Sequence, residues 1–293
     1  MAYTPGSAAS PLLIGVDELA DAMFGSRSAV AAPIRLLDVR WSLGDATGRD
    51  DYLTAHIPGA VYVDLDTELA DPPSPAAGRH PLPSHERLAA AVRRWGIDAG
   101  DRVIAYDGDS NLCAARAWWV LTNAGLPRVQ LLDGALPAWR AAGLPLESGQ
   151  VAPVPGTATL DATNRLAVIA IERAAALPAH GVLLDARSTE RYLGLSEPID
   201  PRAGHIPGAV SAPTGENVDD DGRFLPPDVL RQRFENLGVR EGAPTAAYCG
   251  SGVTAAHEVF ALRLAGFDAA LYAGSWSQWS QTTRPAATQP LAN

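Results

Sequence analysis

A cysteine in a glycine-rich run is the residue of this sequence best suited to nucleophilic chemistry. Cys249 lies in YCGSGVTA at 248–255, between a predicted strand and a predicted helix. The two glycines permit a tight turn whose amide N–H groups point at one centre. The N-terminus of the following helix, near Thr254, adds partial positive charge. Both effects favour a thiolate, so the pattern predicts a nucleophile rather than a small buried hydrophobe.

The chain contains two cysteines, Cys113 and Cys249. This count predicts no disulfide framework and indicates a reducing compartment. Cys113 falls inside a helical pattern and is interpreted as structural. The sequence shows no secretory signal pattern and no apolar stretch approaching the roughly 20 residues that span a bilayer, so we expect a soluble, cytoplasmic protein.

Composition limits the classes of partner. The 293 residues are 47% hydrophobic and 19% charged, which suits two globular domains of ordinary size. The net charge of −10 argues against a nucleic-acid or anionic-membrane partner, because such surfaces need clustered lysine and arginine. A small anionic substrate remains compatible, since a few arginines and backbone N–H groups are enough to bind one.

The sequence contains an internal repeat. In chain order, LLDVR at 36–40 recurs as LLDAR at 183–187, HIPGAV at 56–61 and again at 205–210, AYDG at 105–108 as AYCG at 247–250, and LDG at 132–134 as YAG at 272–274. Copies about 140 to 150 residues apart indicate a duplicated domain rather than a solenoid repeat. Asp107 therefore holds in the first half the position of Cys249 in the second.

The elements that position these residues alternate between strand and helix. Short apolar runs at 34–38, 103–106, 182–185 and 245–248 predict buried parallel strands. Helical patterns cover 86–95, 114–124, 229–237 and 255–265, the last ending before Gly266. The fold class is therefore α/β, with two tandem domains, each a mainly parallel sheet flanked by helices. We predict domains over 10–146 and 166–285, with a linker over 147–165 that is rich in glycine and proline.

The duplicated motifs, the CGSGVT loop at 249–254 and GSWSQW at 274–279 resemble the tandem rhodanese-domain sulfurtransferases over roughly residues 10–285. The resemblance implies a non-catalytic first domain and a second domain that carries sulfur as a persulfide on Cys249. The loop residues Gly250, Gly252, Val253 and Thr254 would contact the donor. The loop has no basic residue, which is similar to 3-mercaptopyruvate sulfurtransferases, whereas thiosulfate-specific members place cations there.

Two arginines are candidates for binding the donor. Arg191 matches a family arginine that binds the donor anion, and a guanidinium suits a carboxylate. Mercaptopyruvate enzymes often have a second arginine in a Glu-Pro-Arg sequence, but this chain has Glu197-Pro198-Ile199. Arg202, three residues further on, is the candidate replacement, and the departure weakens the mercaptopyruvate assignment.

The resemblance also implies a proton relay beside the cysteine. Ser251 matches the serine of the loop, and His80 and Asp66 match the histidine and aspartate that the first domain supplies. An aspartate that orients a histidine allows the histidine to move a proton through serine. His56 and His205 occur in both halves and are interpreted as structural, as are the duplicated Asp-x-Arg pairs.

Other classes fit less well. A cysteine phosphatase needs an arginine six residues after the cysteine, where this chain has Ala255. We expect no cofactor and no metal site, because the cysteines and histidines lack zinc spacing and the glycines match no nucleotide-binding motif. Thiosulfate:cyanide sulfurtransferase (rhodanese) is the main alternative function, and a rhodanese-like sulfur-binding or regulatory module is a lesser one. The acceptor, whether thioredoxin, a small thiol or cyanide, and the oligomeric state are left open.

Overall fold

The computed structural model describes residues 12–25, 32–42, 44, 47–161 and 163–288. The first half contains, in chain order, β1 (Leu13–Ile14), α1 (Val16–Phe24), β2 (Ile34–Asp38), α2 (Gly48–Thr54), β3 (Val61–Tyr62), α3 (Leu65–Glu68), α4 (His85–Arg94), β4 (Arg102–Tyr106), α5 (Ala114–Asn123), β5 (Val129–Leu132) and α6 (Ala135–Ala141). The second half contains α7 (Ile171–Ala176), a 3-10 helix (Leu177–Ala179), β6 (Val182–Asp185), α8 (Thr189–Tyr192), β7 (Val210–Ser211), a 3-10 helix (Thr214–Asn217), α9 (Pro227–Asn236), β8 (Thr245–Tyr248), α10 (Thr254–Leu264), β9 (Ala270–Leu271) and α11 (Ser275–Trp279).

Each half builds its own parallel sheet. The strand order of the first sheet is β1-β5-β4-β2-β3, and that of the second is β7-β6-β8-β9. The registers correspond between the halves: Asp38 lies opposite Tyr106 in the first sheet, and Asp185 lies opposite Tyr248 in the second. The α/β prediction with two tandem domains is confirmed. The described residues between 142 and 170 form no helix and no strand, and the predicted linker over 147–165 lies inside this stretch.

The predicted strands at 34–38, 182–185 and 245–248 match the observed ones, and the other predicted boundaries differ by at most two residues. Thr254, expected at the helix N-terminus, is the first residue of α10, and the preceding Val253 provides no side-chain cap. Gly266 adopts a φ of 84°, the left-handed conformation that commonly ends a helix.

The two domains share one apolar core. A single cluster of buried residues includes side chains of both sheets and of α5 and α10, and smaller clusters fill the outer face of each sheet. At the junction, the rings of Trp118 on α5 and Phe260 on α10 meet edge to face, with centroids 4.7 Å apart. Both residues are almost completely buried. This packing sets the position of one domain's loops against the other's.

The duplicated polar residues stabilise the scaffold. Arg40 donates to both carboxylate oxygens of Asp38 at 3.1 and 3.0 Å, and Arg187 binds Asp185 in the same way. In each half the motif histidine, such as His56, is buried and donates through Nδ1 to a backbone carbonyl, 2.8 Å away in the first domain and 2.7 Å in the second. These contacts give a structural role to the Asp-x-Arg pair and the histidine that occur in both domains. In the described part of the chain, no helix is long and apolar enough to cross a membrane.

Truncating the ring at the domain junction should destabilise the protein. We expect Trp118→Ala to lower the free energy of unfolding by about 3–5 kcal/mol, because it leaves a cavity in the shared core. Leu195→Ala, at a side chain that is 76% exposed, should change it by less than about 0.5 kcal/mol. Denaturant unfolding followed by circular dichroism measures both, and similar values for the two variants would contradict a shared core.

Candidate active site

The Cys249 loop connects β8 to α10 at the carboxyl end of the second sheet, the edge where open α/β folds bind ligands. Cys249 is 2% exposed, and its Sγ accepts a hydrogen bond from the backbone N–H of Gly252 at 3.1 Å. Gly252 has a φ of 83°, and a Cβ there would lie 2.4 Å from the carbonyl oxygen of Ala273. Glycine is therefore required both for the backbone conformation and for the close approach.

The first residues of α11 form hydrogen bonds with the backbone of the cysteine loop. The Cys249 N–H donates to Ser275 Oγ at 3.1 Å, and the Cys249 carbonyl accepts from the N–H of Trp276 at 2.9 Å. The Gly250 carbonyl accepts from the N–H of Ser277 at 2.8 Å. These bonds give the GSWSQW motif a structural role, which is to fix the backbone on both sides of the sulfur.

The first domain builds the same turn around a carboxylate. The Asp107 side chain accepts backbone N–H bonds from Asp109, Asn111, Cys113 and Ala114 at 2.8 to 3.2 Å. Burial raises the pKa of Asp107 above its ordinary value, although the four amides oppose that shift. This strand-to-helix turn of the first domain therefore directs four of its amides at one carboxylate.

Cys113 is held as a thiol. Its Sγ donates to the carbonyl of Trp41 at 3.3 Å, and the side chain is 7% exposed. Burial, together with the negative charge of Asp107, raises the pKa of the Cys113 thiol well above its ordinary value. A protonated thiol is a poor nucleophile, so we do not expect Cys113 to react as Cys249 would.

The structure brings Ser251, His80 and Asp66 together across the domain boundary. Ser251 Oγ lies 2.7 Å from His80 Nδ1, and His80 Nε2 lies 2.9 Å from Asp66 Oδ1. Trp41 donates from its indole N–H to the other Asp66 oxygen at 3.0 Å, and its ring meets that of His80 edge to face. A serine of the second domain is thus connected to a histidine and an aspartate of the first.

The direction of these hydrogen bonds follows from the carboxylate. An ionised Asp66 can only accept, so His80 Nε2 carries the proton and Nδ1 accepts from the Ser251 hydroxyl. Burial lowers the pKa of His80 below its usual value, against the opposing effect of Asp66. The imidazole is therefore neutral near pH 7, and the lone pair of its Nδ1 accepts the hydrogen bond from the serine.

Arg116 joins the relay to the cysteine loop. This fully buried residue of α5 donates to the carbonyl of Gly252 at 3.1 Å and to that of His80 at 3.0 Å, and also to Leu69 and Pro81. Burial lowers the pKa of Arg116 to about 10, so it keeps its charge at neutral pH, and negative charge on Cys249 would oppose that shift. Arg116 thus places a positive charge near the sulfur without lying in the loop.

A cavity of about 560 Å³ opens above the loop between the domains. Its lining includes Cys249, Gly250, Ser251, Val253 and Thr254. Gly252 is not among the lining residues; its N–H donates to the Cys249 sulfur. The first domain also lines the cavity, through Trp41, the Asp107 turn and Arg79, so a ligand held there would contact both halves of the chain.

Two guanidinium groups lie beside the loop. Arg191 lines the cavity and pairs with Glu197, with its Nη2 2.6 Å from Glu197 Oε1. Arg79 reaches the same place from the first domain. Asp200 bridges the two arginines: it accepts from Arg191 at 3.3 Å through one oxygen and from Arg79 through the other. Burial raises the pKa of Asp200, although both arginines oppose the shift.

Arg202 does not join this group, which corrects the expectation that it replaces the second arginine of the Glu-Pro-Arg sequence. Its three guanidinium nitrogens donate at 2.8 to 3.0 Å to the backbone carbonyls of Trp279, Ser280 and Arg284. The side chain is therefore committed to the end of α11, where unpaired helical carbonyls need donors.

Two arginines beside the cysteine loop, Arg79 and Arg116, were not among the residues predicted from the sequence. A lone arginine inside the apolar helical run AARAWWVL at 114–121 was a usable signal for Arg116, because a buried charge must find partners. Arg79 had no comparable pattern of its own beyond its place next to His80. Only the packing of the two domains brings it to Gly250.

Substituting the glycine whose N–H contacts the sulfur should test the loop geometry. In Gly252→Ala, the added Cβ and the positive φ should destabilise the fold by about 1–3 kcal/mol. The displaced N–H should also slow alkylation of Cys249 by iodoacetamide, followed by peptide mass spectrometry. Gly215→Ala, where a Cβ would meet no atom within 4 Å, is the matched control. Wild-type stability and reactivity in Gly252→Ala would exclude the described role of the turn.

Comparison with known proteins agrees with this architecture. The model of the rhodanese-like domain matches the chain twice, over residues 16–142 and 170–282. The chain is 48% identical over 260 residues to the putative thiosulfate sulfurtransferase SseB of Mycobacterium tuberculosis, covering 86% of this chain and 90% of that one. It is 47% identical over 262 residues to a probable 3-mercaptopyruvate sulfurtransferase of Pseudomonas aeruginosa, covering 86% and 92%.

A solved structure extends the likeness to three dimensions. The crystal structure of SseA from Escherichia coli, described among the 3-mercaptopyruvate sulfotransferases, superposes with a TM-score of 0.78 at 33% sequence identity, covering 91% of this chain and 99% of that one. Two family matches, near-complete coverage of relatives and a common fold lead to one assignment. The chain belongs to the rhodanese family and is a sulfurtransferase with two tandem rhodanese-like domains.

Proposed function

We propose that this sulfurtransferase moves sulfane sulfur from 3-mercaptopyruvate to a thiol or cyanide acceptor through a persulfide on Cys249. The observation that carries the proposal is the Ser251–His80–Asp66 chain of hydrogen bonds, which ends in the cysteine loop at Ser251, a residue of the cavity lining. A proton relay is useful to a donor whose leaving group must be protonated. The relative from P. aeruginosa named as a probable 3-mercaptopyruvate sulfurtransferase supports the same donor.

The proposed first step forms one S–S bond and breaks one C–S bond. The Cys249 thiolate attacks the sulfur of mercaptopyruvate, and the electron pair of the C–S bond passes to the carbon as pyruvate enolate. The enolate takes a proton and leaves as pyruvate, while Cys249 keeps the sulfur as a persulfide. In balance, the proton of the donor thiol ends on the methyl carbon of pyruvate.

The relay would supply and recover that proton. The neutral His80 imidazole first accepts the proton of the donor thiol through Ser251, and Asp66 stabilises the imidazolium that forms. The imidazolium then returns this proton through Ser251 to the pyruvate enolate. Arg116 and the Gly252 N–H favour the thiolate before attack and the anionic persulfide after it. The same residues thus serve both chemical states of the sulfur.

The second step would return Cys249 to the thiolate. Cyanide attack on the outer sulfur releases thiocyanate, and attack by a thiol yields a new persulfide on the acceptor. Thioredoxin and small thiols are both proposed acceptors. We also predict a cytoplasmic location, where reduced thiols are available.

Thiosulfate is the second candidate donor, and one feature favours it. Arg79 and Arg191 place cations beside the loop although the loop itself has none, and a dianion would benefit from both. The relative from M. tuberculosis is named a putative thiosulfate sulfurtransferase. Against this donor, sulfite leaves without a proton, so the Ser251–His80–Asp66 chain would have no chemical use. A sulfur-binding or regulatory module is a lesser alternative, which turnover would exclude.

Removing the proposed nucleophile should abolish sulfur transfer. After treatment with mercaptopyruvate, intact-mass spectra of the wild type and of Cys113→Ser should show one added sulfur atom, because only Cys249 lies in the reactive turn. Cys249→Ser should show no adduct and no turnover while circular dichroism reports a folded protein. A sulfur adduct that persists in Cys249→Ser would contradict the assignment.

Removing the histidine should separate the two donors. We expect His80→Ala to lower kcat/KM for mercaptopyruvate by about 10²–10⁴, the usual contribution of general acid–base help. Thiosulfate turnover should fall much less, since sulfite needs no proton. The backbone carbonyl of His80 that binds Arg116 is retained in the variant, so the domain contact should survive.

The ratio of the two losses is the decisive quantity, because a general folding defect lowers both activities alike. Equal losses with both donors in a folded His80→Ala protein would make His80 a structural residue. The donor assignment would then pass to thiosulfate.

A further inference from the structure

Asp66, at the far end of the relay, is an exposed carboxylate. Its side chain is 56% exposed, whereas that of His80 is 8% exposed. An ion pair at so exposed a carboxylate contributes at most about a fivefold preference over arrangements in which water takes the partner's place. The bond to His80 at 2.9 Å therefore does not fix the Asp66 side chain by itself, and a second contact is needed to keep the carboxylate on the histidine.

The Trp41 side chain makes that second contact. Its indole N–H donates to Asp66 Oδ2 at 3.0 Å, while His80 binds Oδ1. A hydrogen bond to an ionised acceptor is stronger than a neutral one, and donors on both oxygens fix the plane of the carboxylate. The same indole ring stands at 88° to the His80 imidazole, with centroids 5.2 Å apart. One side chain thus restrains both the aspartate and the histidine.

The backbone around Trp41 is itself held in place. The preceding residue, Arg40, binds Asp38 and the carbonyl of Ala55 through its guanidinium. The carbonyl of Trp41 accepts from Cys113 Sγ at 3.3 Å, directly before α5. An indole side chain has only two rotatable bonds, so little freedom remains. Trp41 is therefore a rigid support for the relay, and a functional side chain needs such support to keep its geometry.

The duplicated half separates Trp41 from the shared scaffold. Counted from LLDVR and LLDAR, Ser188 takes the place of Trp41 in the second domain. Counted from the two HIPGAV motifs, Gly215 takes the place of Asp66. The Asp-x-Arg pair next to Trp41, in contrast, is kept in both halves. The tryptophan and the aspartate thus occur together in the domain that contributes the relay, and the other domain has neither at the equivalent positions.

We infer that Trp41 is the positioning residue of the relay, holding Asp66 on His80 through its indole N–H and fixing the imidazole through its ring. The inference rests on the proposed function and adds to it a residue that exchanges no proton itself. Catalysis depends steeply on geometry, and a displacement of about 1 Å can cost about 10²-fold in rate. Loss of the indole N–H should therefore appear in kcat for the donor that needs the proton.

The hydrogen bond can be tested without turnover, in a ¹H–¹⁵N spectrum of the indole groups of the full-length protein. The chain has seven tryptophans, and Trp41→Phe identifies the Trp41 signal by its loss. In Asp66→Ala this N–H signal should move upfield and exchange faster with water, because its acceptor is gone. The other indole signals should stay in place. A Trp41 signal that does not respond to Asp66→Ala would overturn the inference.

Kinetics test the positioning role itself. Trp41→Phe keeps an aromatic ring and removes the N–H, so we expect kcat for mercaptopyruvate to fall about 10- to 150-fold, the equivalent of one hydrogen bond to a charged group. KM should change much less, because the lost bond is made to Asp66 and not to the donor. Thiosulfate turnover should also change little, since sulfite leaves without a proton.

Trp139→Phe is the matched control from the same domain. Trp139 donates its indole N–H to the Pro145 carbonyl at 2.8 Å and does not line the cavity. The substitution therefore removes the same atoms and the same kind of bond away from the relay. We expect wild-type kcat in this variant, with any loss confined to the stability measured by denaturant unfolding.

A double-mutant cycle shows whether Trp41 acts through Asp66. In an Asp66→Ala background, Trp41→Phe should lower kcat by less than about twofold, because the carboxylate that it would hold is absent. The full loss in that background would overturn the inference. Equal losses with both donors in folded Trp41→Phe, while His80→Ala separates the donors, would leave the relay standing and make Trp41 a wall of the cavity. If His80→Ala does not separate the donors, the proposed function fails and the inference fails with it.

Discussion

The Arg116 guanidinium, buried where α5 meets α10, donates to backbone carbonyls on both sides of the domain boundary. One of these carbonyls belongs to Gly252 in the cysteine loop, and another belongs to His80 in the relay. Carbonyl groups buried without donors would be costly, as would an unpaired buried cation. The contact thus ties the position of the nucleophile to that of the histidine. Because the site is divided between domains, its geometry depends on this junction and on the apolar packing around it.

The duplicated domains use the same turn in different ways. Both domains carry the same strand-to-helix turn, and in each a backbone amide of the turn donates to the side chain at its centre. In the first domain Asp107 fills that centre with its own carboxylate and takes four amides. In the second domain Cys249 Sγ occupies it and remains open to the cavity. The first domain, with its own turn occupied, instead contributes side chains to the neighbouring site.

Charge around the cavity is balanced at short range. Although the chain carries a net charge of −10, the space beside Gly250 is bordered by Arg79 and Arg191. Glu197 pairs with Arg191, and Asp200 pairs with both arginines. These ion pairs are partly buried, and Coulomb interactions there are stronger than in water. The acidic composition is therefore a property of the surface and does not describe the site. A small anion approaching the cysteine therefore encounters two guanidinium groups that are already paired with carboxylates.

The sequence by itself determined the duplicated α/β architecture, the place of the nucleophile and the pairing of a cysteine in one half with an aspartate in the other. Those features are local, since an apolar strand, a glycine turn and a helix start appear in consecutive residues. The Ser251, His80 and Asp66 candidates could be named from motifs, but their hydrogen bonds required the tertiary structure. Arg79 and Arg202 show the limit most clearly. Their distances along the chain from Cys249 favour Arg202, yet domain packing brings Arg79 to Gly250 and commits Arg202 to the carbonyls at the end of α11, because the contacts of a long side chain are decided by what the fold places around it.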